Sequence, residues 1–216
     1  MKSQLAKLTR PRPVGVVERK RLFSRLDSLR GKKIIWISAS AGSGKTTLVA
    51  NWLDSRKMPC LWYQADKGDA DIATFFSYLG IAAQHAAPRY RTPLPHFTRE
   101  YLSGVATFSK RFFETLFGRL KPPFCFVLDN YQDVPPESRF HEAVREGLGT
   151  VPAGVAVIII SRSDPPPMMS RLHMNGQLEV IGAKEMGFTL EESRKLIASQ
   201  AREKPRGDVV ETLFQR

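Results

Sequence analysis

"KIIWISASAGSGKTTLVANW", residues 33–52, passes from an apolar run through a glycine-containing loop into a stretch of helical spacing. The loop, Ala39 to Thr47, has the spacing in which successive backbone N–H groups wrap the phosphates of a nucleotide. Gly42 and Gly44 let the backbone bend and come close to phosphate oxygens, and the N-terminus of the following helix adds partial positive charge. In this pattern Lys45 reaches the β and γ phosphates and the Thr46 hydroxyl ligates Mg2+, while Ala41, Gly42, Ser43, Gly44 and Thr47 complete the cradle. Position 39 is alanine where glycine is common, one small residue for another.

Working outward, such a loop requires a strand that delivers an acid to the metal. "FCFVLD", residues 124–129, ends in Asp129, 84 residues after Lys45. Mg2+ dehydrates reluctantly and is held by one or two carboxylates plus phosphate oxygens, so Thr46 and Asp129 are the expected metal-side groups. The bland alternative is a strand-end aspartate capping a turn. Asn130 follows, at the position where a second acid often activates the attacking water, and Asp133, one helical turn beyond, is the candidate replacement. A third run, "VAVIIISRSDPP", ends in Ser161 and Arg162. At the carboxyl edge of an open sheet these side chains face the ligand crevice, which makes Arg162 a candidate sensor of the γ phosphate; the bland alternative is a surface arginine beside a proline turn.

Five apolar runs (33–38, 60–64, 124–129, 155–160 and 178–181) alternate with helical stretches. Three are continuously apolar, as in a parallel sheet covered on both faces, so the expected fold is α/β: a three-layer P-loop NTPase core with a five-stranded, mainly parallel sheet and helices on both sides. Helices are expected from Lys45 to Ser55, after an N-cap at Asp71, over 97–120 as one helix or as two shorter ones divided at Gly104, and after Thr189, whose spacing to Glu192 is that of a capping box. A further helix is expected from Asp208 to Arg216. The corresponding organisation is a basic segment at 1–30 packing on the nucleotide site, a core at 31–187 and the start of a helical lid at 188–216.

The chain has 216 residues, 42% hydrophobic and 25% charged, an ordinary composition for a soluble globular protein. No apolar run approaches the roughly 20 residues that span a bilayer, and the start lacks the apolar block of a secretory signal, so a cytoplasmic protein with no membrane partner is expected. Cys60 and Cys125 lie in strand-like runs, where small buried thiols are expected, and the four histidines lack ligand spacing. The net charge is +12, and residues 1–33 hold eleven Lys and Arg against Glu18 and Asp27, a local +9. That excess reads either as an electrostatic footprint for nucleic acid or for ligand phosphates, or as a solvated face.

Taken in order, "KLTRPRP", "VERKRLFSRLD", "ISASAGSGKTTLVANW", "LWYQADKGDADIATFFSYL", "FVLDNYQDV", "VIIISRSDPP" and "EMGFTLEES" resemble the nucleotide-binding module of STAND ATPases, and within them the MalT-like, large ATP-binding LuxR-type transcriptional regulators. The resemblance runs from about residue 7 to residue 202. It rests beyond the loop on Trp52, on Trp62 followed by Asp66, Asp69 and Asp71, on Tyr131 after Asp129, and on Ser161-Arg162. It implies an ASCE-type fold and a switch with ADP in a closed form. ATP and an inducer would give an open, self-associating form, with DNA contacted by a carboxyl-terminal domain. It assigns Lys45 and Thr46 to phosphate and Mg2+, Asp129 to Mg2+, Arg162 to the sensor role, and the stretch around Val17 and Arg19 to the adenine.

Asn130 departs from the family's second acid, so holding ATP or ADP with slow or negligible hydrolysis is the expected behaviour. The chain also stops before a Gly-Trp-Pro-like element and a winged-helix region, so a fragment or reduced version of a larger switch is expected. Two other readings remain open at this stage: a small P-loop phosphotransferase, with lid arginines at 194, 202 or 206, and a DNA-associated loader ATPase.

Overall fold

The computed structural model of the chain describes residues 6–12 and 16–200, the side chains of 199 and 200 excepted. The helix expected from residue 208 lies outside them. Five strands form one sheet: β1 (Ile34–Ser38), β2 (Cys60–Gln64), β3 (Phe124–Asp129), β4 (Val155–Ser161) and β5 (Leu178–Ile181). The order is β2-β3-β4-β1-β5 and every neighbouring pair is parallel, so the sheet is wholly rather than mainly parallel. Ser38 pairs in register with Ser161, and Gln64 with Asp129. The carboxyl ends of β1, β3 and β4 therefore meet along one edge. In sequence β2 separates the loop from Asp129, but in the sheet β4 stands between β1 and β3.

Strand residues alternate between two cores, which is why the runs are continuously apolar. Ile34 and Trp36 face a large core with Tyr63, Phe75, Phe76, Phe112 and Phe140, on the side covered by α3 (Ile72–Ala86), α4 (Val105–Arg119) and α5 (Phe140–Leu148). Ile35 and Ile37 face a smaller core with Leu22, Leu26, Leu48 and Trp52, from α1 (Lys20–Ser28) and α2 (Lys45–Ser55). The short α6 (Ser170–Met174) and α7 (Ala183–Met186) flank β5, and α8 (Leu190–Gln200) follows. No described helix is long and apolar enough to cross a membrane.

Local signals act as their chemistry requires. The Asp71 carboxylate accepts from the Ala73 and Thr74 N–H groups at the start of α3. Thr189 Oγ1 accepts from the Glu192 N–H while Glu192 Oε2 accepts from the Thr189 N–H, a reciprocal cap that opens α8. Gly104 divides the 97–120 stretch, with a 3-10 turn at Arg99–Ser103 before α4 begins.

The cationic amino-terminal stretch is folded against carboxylates. Lys7 pairs with Asp66 and Asp69 at 2.6 and 2.8 Å, and Arg10 with Asp54. Arg19 meets Glu192, Arg25 meets Glu185, Arg30 meets Asp27 and Lys32 meets Glu179. Charges already matched within the chain leave a weaker field for an external polyanion, which favours the solvated-face reading of this segment over the footprint.

Candidate functional site

The loop between β1 and α2 holds Gly42 at φ 78° and Gly44 at φ 80°, a left-handed conformation that side chains rarely adopt. No atom lies within 4 Å of where a Cβ would stand at either position, so glycine is required by the backbone and not by crowding. Lys45 opens α2 and folds back over the loop, donating to the carbonyls of Ala39 (2.6 Å) and Ser40 (2.8 Å) and to Ser43 Oγ (3.3 Å). Burial, and next the positive charge of Arg162, hold its ammonium below the usual lysine range, against the opposing pull of Asp129.

Thr46 Oγ1 donates to Asp129 Oδ1 at 3.1 Å, tying the start of α2 to the end of β3. Asp129 is 1% exposed, and burial pushes its carboxyl up. The Thr46 hydroxyl, the Asn130 N–H at 2.9 Å and the charge of Lys45 oppose that rise. A hydroxyl and a carboxylate brought together beside a phosphate loop form the hard oxygen donor set that suits Mg2+. Among the described residues no cluster of three or more His, Cys, Asp or Glu could hold a metal by itself. Cys60 and Cys125 are free thiols, Cys125 buried and Cys60 partly so.

A cavity of about 320 Å³ opens over this arrangement, lined by Ala41, Gly42, Gly44, Lys45, Thr46 and Thr47 from the loop side and by Asn130, Gln132, Ile160 and Arg162 from the strand ends. Its size is that of a small-molecule site. Ser43 lies outside the lining but holds Lys45. Asp129 acts on the cavity through Thr46. Asp133 does not line it either: its Oδ1 accepts from Gln132 Nε2 at 3.0 Å. Gln132, which sequence reasoning passed over, takes the place instead and accepts the Arg162 N–H on its Oε1 at 2.9 Å. The only prior signal was its position two residues beyond Asn130.

Asn130 itself sits at φ 59°, ψ 35°. Asparagine tolerates that left-handed conformation better than most residues. The amide thus has a backbone reason as well as a chemical consequence.

Beside this cavity, a second of about 50 Å³ shares Gly44 and Thr47 with it and is bounded further by Val16, Val17, Arg19, Leu48, Asn51 and Phe188. The structure therefore brings Val17 and Arg19 next to the loop. Arg19 is 6% exposed and locks the amino-terminal segment to the start of α8. Its Nη2 donates to the carbonyls of Met186 (2.9 Å) and Gly187 (2.7 Å), its Nε and Nη2 reach Glu192 Oε2 at 3.3 and 3.1 Å, and its guanidinium lies 4.1 Å over the Phe188 ring. Burial alone would raise the Glu192 carboxyl, but the Thr189 N–H and Arg19 outweigh it and hold it below the usual range.

Comparison with known proteins agrees with this geometry. No family model matches the chain. The chain is 32% identical over 193 residues to the HTH-type transcriptional regulator MalT of Serratia proteamaculans, 31% to that of Cronobacter sakazakii and 30% to that of Klebsiella pneumoniae. Each match covers 88% of this chain and 21% of the relative, so the chain spans about a fifth of their length. Among solved structures, AMPPCP-bound DnaA from Aquifex aeolicus superposes with a TM-score of 0.50 at 15% identity, over 93% of this chain and 58% of that one. A DNA replication initiation factor gives the same score and identity over 93% and 57%. At that identity the likeness concerns the fold alone. Over those 193 residues the chain is a homologue of the MalT regulators, built on a three-layer α/β P-loop fold.

Proposed function

We propose that the chain is an ATP/ADP-binding switch module of a transcriptional regulator, one that holds its nucleotide and hydrolyses it slowly or not at all. The observation that carries this reading is the meeting of Lys45, Thr46 and Arg162 around one cavity, with Asp129 fixed beneath Thr46. Lys45 would exchange its three loop acceptors for β and γ phosphate oxygens. Thr46 and Asp129 would turn from each other to hold Mg2+, which when bound neutralises phosphate charge. Arg162, steadied at its backbone by Gln132, would meet the γ phosphate and so distinguish ATP from ADP.

Among the described residues no carboxylate lines the cavity, and Asn130, next after Asp129, is part of its lining. An amide accepts a hydrogen bond from water but takes no proton from it. In this reading residues 1–30 pack on the site, 31–187 form the core and 188–216 begin a lid. The relatives' designation as HTH-type regulators supports a place in gene control, with DNA contact by a further domain and nucleotide-dependent self-association in the cytoplasm.

Single-turnover hydrolysis of ATP, compared between the chain and Asn130→Asp, tests the claim. A positioned general base typically contributes 10²–10⁴-fold. The variant is therefore expected to be at least about tenfold faster, allowing for imperfect placement of the new carboxylate; equal rates would remove the amide as the cause of slow chemistry.

A further inference from the structure

Two polar groups beside the phosphate cavity have no hydrogen-bond partner among the described residues. Arg19 Nη1 is buried without a hydrogen-bond acceptor, although Nε and Nη2 of the same guanidinium are engaged. A buried donor without an acceptor is rare in folded proteins and calls for an explanation, and at the wall of a cavity an acceptor supplied by a ligand is one. The second is the amide of Asn51, half-buried on α2 one turn beyond Thr47, which makes no hydrogen bond among the described residues. Both residues line the 50 Å³ cavity, whose other walls include the apolar side chains of Val16, Val17, Leu48 and Phe188. Apolar walls with one amide and one free N–H donor match a flat heteroaromatic ring that carries acceptor nitrogens and an exocyclic amine.

We propose that Asn51 reads the edge of the purine and sets the preference for adenine, while Arg19 Nη1 donates to an acceptor nitrogen of the same ring. The inference rests on the nucleotide reading above and assigns the group that discriminates between bases. Adenine presents an acceptor nitrogen next to the N6 amine, which pairs with the donor and acceptor of one amide. On its N7 edge guanine presents two acceptors, leaving the amide oxygen of Asn51 facing another oxygen. Arg19 offers only a donor, which either purine satisfies, so it adds affinity without choice. A purine is larger than the cavity as it stands, and entry has to move a wall. Val16 is 38% exposed and is the one exposed residue among the walls, so it is the wall expected to yield.

The test is equilibrium titration of ATP, GTP and inorganic tripolyphosphate against the full chain and its Asn51→Ala and Asn51→Asp variants. A well-made amide pair discriminates between bases by about tenfold or more. The chain should therefore favour ATP over GTP, Asn51→Ala should lose about tenfold of that ratio, and Asn51→Asp should move further towards GTP. A carboxylate cannot donate to adenine's ring nitrogen, but it accepts from the N1–H and N2 amine of guanine. Unchanged tripolyphosphate affinity in the variants shows that fold and phosphate loop are intact. With that affinity and ATP binding retained, an ATP-to-GTP ratio within twofold of the parent in both variants overturns the role of Asn51. A parent chain that binds tripolyphosphate and ATP yet ignores the base overturns it as well. A parent chain that binds neither ATP nor tripolyphosphate overturns the nucleotide reading and this inference with it.

Discussion

The phosphate end and the base end of the site share Gly44 and Thr47 but are assembled in opposite ways. The phosphate end is nine consecutive residues, closed by the ends of two strands that pack beside one another. The base end is drawn from residues 16–19, from the first turns of α2 and from residues 186–192, with Arg19 and Glu192 separated by 173 positions. A contiguous loop keeps its geometry through local backbone conformation, so it tolerates change elsewhere in the chain. A site assembled across such a distance exists only while the pieces remain docked. This contrast suggests that phosphate affinity is set locally, whereas contacts to the base can respond to the position of α8.

The largest expected effect lies at the phosphate end. Lys45→Ala should weaken ATP binding by about 2–5 kcal/mol, the usual cost of truncating one partner of a buried charge pair, as read by titration calorimetry. Arg19→Ala should act differently, through stability: it takes from buried Glu192 the nearer and more buried of its two cations, leaving Arg21 at 3.5 Å, at a cost of up to about 3 kcal/mol, measured by urea denaturation. Part of that loss should return in Arg19→Lys, which keeps the charge but not the fork. If Arg19→Ala left stability unchanged, the base end would not be held by this pair and the contrast would fail.

The smallest effect is a difference in acid response. Asp129 has its carboxyl pushed up by burial, so it takes up a proton at higher pH than an ordinary carboxylate. The Mg2+-dependent part of ATP affinity should therefore be complete at neutral pH and fade as acidity nears the upper side of the carboxylate range. Glu192 has its carboxyl held down, so its contribution to stability is present above the unfolded value and is lost only as pH falls through the lower folded one. ATP titrations with and without Mg2+, paired with denaturation at each pH, should show the metal dependence lost first. The reverse order would contradict the assignment of Asp129 to the metal.

The same contrast explains what could be read from the sequence. β2, β3 and β5 begin and end where their apolar runs do, and α2 follows the loop as expected, because doubly buried strands and a glycine-limited loop carry their signals within a few residues. Helix α5 carries only a weak local signal: it is nine residues long and opens at Arg139 with no side-chain cap. A regular helix after Asn130 places Asp133 one turn beyond it. Instead the chain turns through a left-handed Asn130 into a 3-10 turn, and Gln132 rather than Asp133 reaches the cavity. The pairing of the amino-terminal cations was equally hidden, since Asp66, Glu185 and Glu192 are far away in sequence. Asn51 drew no attention because an amide in a helix looks like any solvated residue until the strap at 16–19 is laid across it.

The most direct measurement is an equilibrium titration of ATP and ADP into the chain with and without Mg2+. The account predicts saturable binding of one nucleotide per chain, tighter for ATP when Mg2+ is present. Absence of saturable binding of either nucleotide in both conditions would contradict it.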